Sequence, residues 1–80
     1  MRKLDEAFMN KYHELRETLF CKGVTMAEYF KTLDKTELIT MQKIRNYRNH
    51  LAFSYQVEEA AEADVASWVS VLDQALDKIA

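Results

Sequence analysis

Eighty residues with no proline, one glycine and one cysteine make a single small domain, 1–80, which buries only roughly 60% of the surface its unfolded chain exposes and so gains from self-association. Half the residues are apolar, nine are aromatic and 30% are charged, a balance that excludes a disordered tail. A net charge of −2 excludes coating of nucleic acid by bulk electrostatics, and with no apolar run of roughly 18 residues to span a membrane and no signal-peptide core the expected location is the cytoplasm.

Scarce glycine and absent proline leave little punctuation for hairpins, while Leu, Ala, Glu, Lys and Met abound, so the fold class is all-α, a bundle of about four helices. The first is expected over about 3–22, where Leu4, Phe8, Tyr12, Leu15 and Leu19 recur at steps of three and four. Gly23 ends it, since glycine takes the left-handed conformation that caps the last carbonyls. Thr25-Met26-Ala27-Glu28 has capping-box spacing, and a short helix over about 26–33 should bury Met26, Tyr29, Phe30 and Leu33. Asp34 or Thr36 can cap a third helix over about 36–53, with Leu38, Met41, Ile44 and Leu51 toward the core. Periodicity weakens after Phe53, so a break is expected at 53–56, with Ser54 as a cap. The last helix, about 57–79, carries Val57, Ala61, Val65, Trp68, Val69, Leu72, Leu76 and Ile79 on one seam. This heptad-like seam can pack inside the monomer or against a copy of itself, and Val65, Trp68 and Leu72 are the candidate dimer-interface residues.

A lone cysteine, Cys21, can form no internal disulfide and is expected as a small buried or half-buried apolar residue. His13 and His50 are widely separated, so there is no zinc-ligand spacing, and no metal or cofactor is expected. His13 lacks a neighbour that suggests a ligand or a base and is expected at the surface. Met9, Met26 and Met41 fit core positions, where methionine fills gaps.

The chemistry-bearing stretch is Arg45-Asn46-Tyr47-Arg48-Asn49-His50. Arginine is a permanent planar cation suited to phosphate oxygens, and histidine can transfer protons near neutral pH. Basic charge is local to it. From Lys31 to His50 stand Lys31, Lys35, Lys43, Arg45 and Arg48 against Asp34 and Glu37, whereas from Tyr55 onward six acids face only Lys78. On a straight helix Arg45 and His50 lie about 140° apart, so they meet on one phosphate only if the helix bends or a second subunit completes the site. The plainer alternative is a solvated helical face, with Arg45 and Arg48 paired to acids of the last helix and His50 near a helix C-terminus.

The step Ile44-Arg45-Asn46-Tyr47-Arg48-Asn49-His50 resembles the signature of the HEPN superfamily, an arginine followed by a polar residue and, four to six positions from the arginine, a histidine. Its α-helical setting before a terminal helix is similar too. The resemblance implies an HEPN-like fold, a homodimer, and metal-independent RNA cleavage of a toxin-antitoxin or phage-defence type, with Arg45, Asn46 and His50 as the catalytic set. His50 would be the general acid or base, Arg45 would hold the phosphate and Asn46 would orient one of them. Lys43, Arg48 and Asn49 would bind the RNA backbone. Where nucleotidyltransferase-paired members carry a tyrosine two places after the histidine, Ala52 stands here, and the nearest tyrosine is Tyr55. The alternative function is a non-catalytic helical interaction module, an antitoxin, regulator or inhibitor, that binds a protein partner such as a cognate toxin or antitoxin.

Overall fold

In the computed structural model, which describes residues 1–53 and 58–79, the chain forms four helices: α1 (Lys3–Cys21), α2 (Met26–Phe30), α3 (Lys35–Phe53) and α4 (Glu62–Ile79). Among the described residues the fold is all-α, and none of these helices is long and apolar enough to cross a membrane. The expected break at 53–56, Ser54, Tyr55 and Val57 lie largely outside the described residues.

The α1 stripe does what its spacing demands: Phe8, Tyr12, Leu15 and Leu19 are buried and Leu4 is partly so. The helix closes through Gly23 at φ 73°, whose N–H donates to the Phe20 carbonyl at 2.9 Å while the Val24 N–H donates to the Leu19 carbonyl at 3.0 Å. This pair of bonds is a Schellman cap and needs a residue tolerant of positive φ. Cys21, placed by the sequence in or near the core, is instead exposed. It falls two positions past Leu19, off the buried stripe, so the helix turns it to solvent.

Thr25 and Glu28 form the expected capping box at α2. That helix ends at Phe30 rather than near 33, because the chain tightens there: the Thr32 and Leu33 N–H groups donate to the carbonyls three residues back, Tyr29 and Phe30. Asp34 then caps α3, accepting the Glu37 N–H at 2.8 Å while Glu37 reaches back to the Asp34 N–H. The Glu37 backbone bond, first among its causes, holds the Asp34 carboxyl below the usual carboxylate range.

Helix α1 packs chiefly along α4, and α3 closes the core with Met41, Ile44, Tyr47 and Leu51. On α4, Val65 and Leu72 have no exposed surface, Ala75 is buried, and Trp68, Val69, Leu76 and Ile79 pack against the core. From Val65 to Ile79 the α4 seam therefore packs inside the monomer. Val65 and Leu72 are enclosed within the monomer, and half-buried Trp68 rests on Phe8 and Tyr47 at ring separations of 6.1 and 5.3 Å. Within the chain the heptad spacing is met by α1.

Helix α4 also begins at Glu62, not near 57. Residues 58–60 are not helical because side chains from elsewhere hold their backbone groups: His50 accepts the Glu58 N–H at 3.1 Å, Tyr47 accepts the Ala60 N–H at 3.3 Å, and Arg2 donates to the Ala60 carbonyl at 2.7 Å. Backbone satisfied this way gains nothing by joining a helix.

Leu72→Ala is expected to lower stability by about 2–5 kcal/mol, as for a buried leucine cut to leave a cavity. Urea denaturation followed by circular dichroism checks it; a midpoint that shifts with protein concentration in the parent chain and not in the variant would place Leu72 at an interface instead.

Candidate functional site

The Arg45-to-His50 stretch lies within the uninterrupted α3, so its side chains fan out around one helix. Asn46 and Asn49 are exposed on the outer ridge of the helix, in line with Phe53, which is 75% exposed. Arg45 and Arg48 lie on one flank. The Arg45 guanidinium sits 5.2 Å from the Phe30 ring centre in α2; that of Arg48 sits 5.5 Å from the Tyr12 ring in α1 and 5.7 Å from Phe53, and donates to Asn49 Oδ1 at 3.1 Å. Both arginines are thus held by aromatic faces, an arrangement that suits guanidinium and leaves its N–H edges for an oxyanion. The expected pairs with acids of the last helix do not form: among the described residues, neither Arg45 nor Arg48 reaches a carboxylate.

His50 lies on the other flank, half-buried. Its Nε2 accepts the backbone N–H of Glu58 at 3.1 Å, which requires that nitrogen to be unprotonated. A regular helix sets Arg45 and His50 about 140° apart around its axis, and α3 is unbroken between them. Within one chain the two proposed catalytic side chains attend to different neighbours, α2 and the segment before α4. Lys43 is exposed on the outer side of α3.

Sequence reasoning passed over Tyr47, the most deeply placed residue of the stretch at 8% exposure. Its ring completes a triangle with Phe8 and Trp68, at 5.4 and 5.3 Å, and its hydroxyl donates to Asp5 Oδ1 at 2.7 Å. Asp5, only 1% exposed, is gripped from its other side by Arg2, whose Nε and Nη2 donate to the two carboxylate oxygens at 2.8 and 3.2 Å. Arg2 also meets Glu59 and the Ala60 carbonyl. The signal for Tyr47 was present as the missing step in Met41, Ile44, Leu51; a tyrosine at position 47 fills the turn between 44 and 51.

Electrostatics follow from these contacts. The Arg2 fork, ahead of the Tyr47 hydrogen bond and against the cost of burial, holds the Asp5 carboxyl below its ordinary range. Burial, then the hydrogen bond to Asp5, pushes the Tyr47 phenol up. Tyr12 is raised by burial and drawn back by Arg48, Arg45 and Arg16. His13 is exposed on α1, 3.9 Å from Glu17. Among the described residues, no group of three or more His, Cys, Asp or Glu is gathered to hold a metal ion.

No protein-family model, curated protein or solved structure matches the chain significantly.

Tyr47→Phe keeps the ring packing and removes the hydroxyl from Asp5 and Ala60, so it should cost about 1–3 kcal/mol, the penalty for stranding buried polar groups. Because the Asp5 carboxyl is lowered on folding, its contribution is present above the unfolded carboxylate value near about 4 and is lost as pH falls through the folded one. Urea midpoints measured from neutral to acid pH should therefore decline in the parent chain, whereas Asp5→Asn should be weaker at neutral pH and decline less; parallel curves would mean that Asp5 does not set this acid limb.

Proposed function

We propose that the chain is a small HEPN-like helical module that acts by binding a protein partner, in the manner of an antitoxin, regulator or inhibitor, and not by cutting RNA. The observation that carries this reading is the hydrogen bond from the Glu58 N–H to His50 Nε2. A general base must offer a lone pair to the proton it removes, and the His50 nitrogen with a lone pair is directed at backbone. Arg45, which would steady the phosphate, is stacked on α2. With Tyr47 fastened to Asp5, Tyr47 and His50 serve to hold the start of α4, and what the stretch leaves at the surface is a ridge of Asn46 and Asn49 with a cationic flank.

A second reading, a metal-independent endoribonuclease, is favoured by one feature. Arg45 and His50 flank the exposed Asn46–Asn49–Phe53 ridge on opposite sides, so two copies pairing their α3 helices in parallel along that ridge would set Arg45 of one copy beside His50 of the other. In that assembly Asn46 would orient one of them, and Lys43, Arg48 and Asn49 would follow the RNA backbone. It requires His50 to release Glu58.

The two readings separate in one assay. Purified protein incubated with single-stranded and structured RNA should leave it intact, and Arg45→Ala and His50→Ala should behave like the parent; His50→Ala should instead lower stability by about 1 kcal/mol through loss of its backbone bond. RNA cleavage that disappears in both variants would establish the nuclease.

A further inference from the structure

Three arginines gather around one tyrosine. Arg48 lies over the Tyr12 ring at 5.5 Å, Arg45 stands one turn before it on α3, and Arg16 stands one turn after Tyr12 on α1. The three arginines act together against the rise that burial gives the Tyr12 phenol. Arg2, Lys11 and Lys78 each reach a carboxylate at 3.8 Å or less, whereas among the described residues Arg16, Arg45 and Arg48 reach none. Lys3, Lys22, Lys31, Lys35 and Lys43 reach no carboxylate either among the described residues; what sets the three arginines apart is their place on adjoining turns of α1 and α3, joined through the Tyr12 ring.

The cluster has an apolar extension. Arg16 is also on the wall of a groove of about 450 Å³ formed with Phe20, Gly23, Val24, Thr25 and Met26. Phe20 is 76% exposed there, and the Thr25 hydroxyl is already engaged with Glu28. The surface thus offers a hydrophobic channel along one edge and guanidinium forks along the other.

Resting on the reading of the chain as a binding module, we propose that this surface receives an acidic amphipathic segment of a partner protein. Its apolar side chains fill the Phe20–Val24–Met26 groove and its carboxylates meet Arg16, Arg45 and Arg48. Guanidinium forks match carboxylates two bonds at a time, and an apolar groove edged by charge is the form of a site that takes an amphipathic helix. Nucleic acid fits less well: it rewards a continuous basic track, whereas this chain is net acidic and confines the cations to one side of a hydrophobic channel.

The test uses the full chain and a fluorescein-labelled synthetic peptide of about sixteen residues, glutamates on one helical face and leucines on the other. Fluorescence anisotropy should report saturable binding that weakens more than about tenfold with R45E/R48E, and with roughly 0.5 M salt, as expected when like charges oppose and screening is strong. Phe20→Ser, at an exposed position, should weaken it separately, and circular dichroism should show every variant as helical as the parent. Absence of peptide binding, or binding indifferent to R45E/R48E, overturns the proposal. So does tighter, arginine-dependent binding of an oligouridylate of about twenty nucleotides, which assigns the surface to nucleic acid, or self-association in the parent chain that R45E/R48E abolishes, which assigns it to a second copy. RNA cleavage in the preceding assay would remove the non-catalytic reading without touching these binding outcomes.

Discussion

A carboxylate with almost no contact with water organises this domain. Asp5 is buried between the first turn of α1 and the middle of α3, and an isolated charge at that depth is costly. Arg2 and Tyr47 make it tolerable by donating three hydrogen bonds to its two oxygens. Each partner carries the network further: Tyr47 accepts the Ala60 N–H and Arg2 donates to the Ala60 carbonyl. One buried anion therefore joins the N-terminus, α3 and the approach to α4. Removing either donor leaves charge without compensation, whereas the fully bonded set specifies a single arrangement of the three segments.

This constraint explains why the polar stretch on α3 has two characters. Its inward side, Tyr47 with half-buried His50, captures backbone of residues 58–60 and decides where α4 begins. Its other flank, Arg45 and Arg48, is set on aromatic rings of α2 and α1, which orients the cations without neutralising them. A cluster that reads in one dimension as a catalytic set is divided in three between holding the fold together and presenting charge. The same division separates the binding function proposed for the chain from the ribonuclease reading, which would need Arg45 and His50 together, while an unbroken helix sets them on opposite flanks.

Packing also redirects the α4 seam. Its spacing suits a coiled-coil partner, but α1 carries a complementary stripe, and in so short a chain the nearest apolar surface is one's own. With Val65 and Leu72 enclosed, the large apolar side chains most exposed among the described residues are Phe20, Ile39, Phe53 and Met1, dispersed over different parts of the chain. Two of them border the arginines, so what exposed apolar surface the domain has near α1 and α3 lies next to unneutralised positive charge.

Local signals in the sequence determined the helices and most of their ends. The 3.6-residue stripe of α1, the Thr25–Glu28 box and the glycine after Lys22 act within a turn or two of chain, and such short-range preferences are written where they operate. The sequence by itself also determined that Arg45 and His50 could not converge on one unbroken helix, since that follows from helix geometry alone. What only the tertiary structure decided depends on residues far apart in the chain. Arg2 and Tyr47 are 45 positions from each other and Tyr47 and Ala60 are 13, so the delayed start of α4 at Glu62, against a periodic signal from about 57, became visible only when they met. The packing of the α4 seam from Val65 onward against α1 likewise depends on a stripe far away in the chain. For the Arg45–His50 stretch, side-chain type announced polar chemistry, but the partners that assign each side chain its task, Phe30, Tyr12, Asp5 and the Glu58 backbone, are brought by folding, and no spacing within the stretch encodes them.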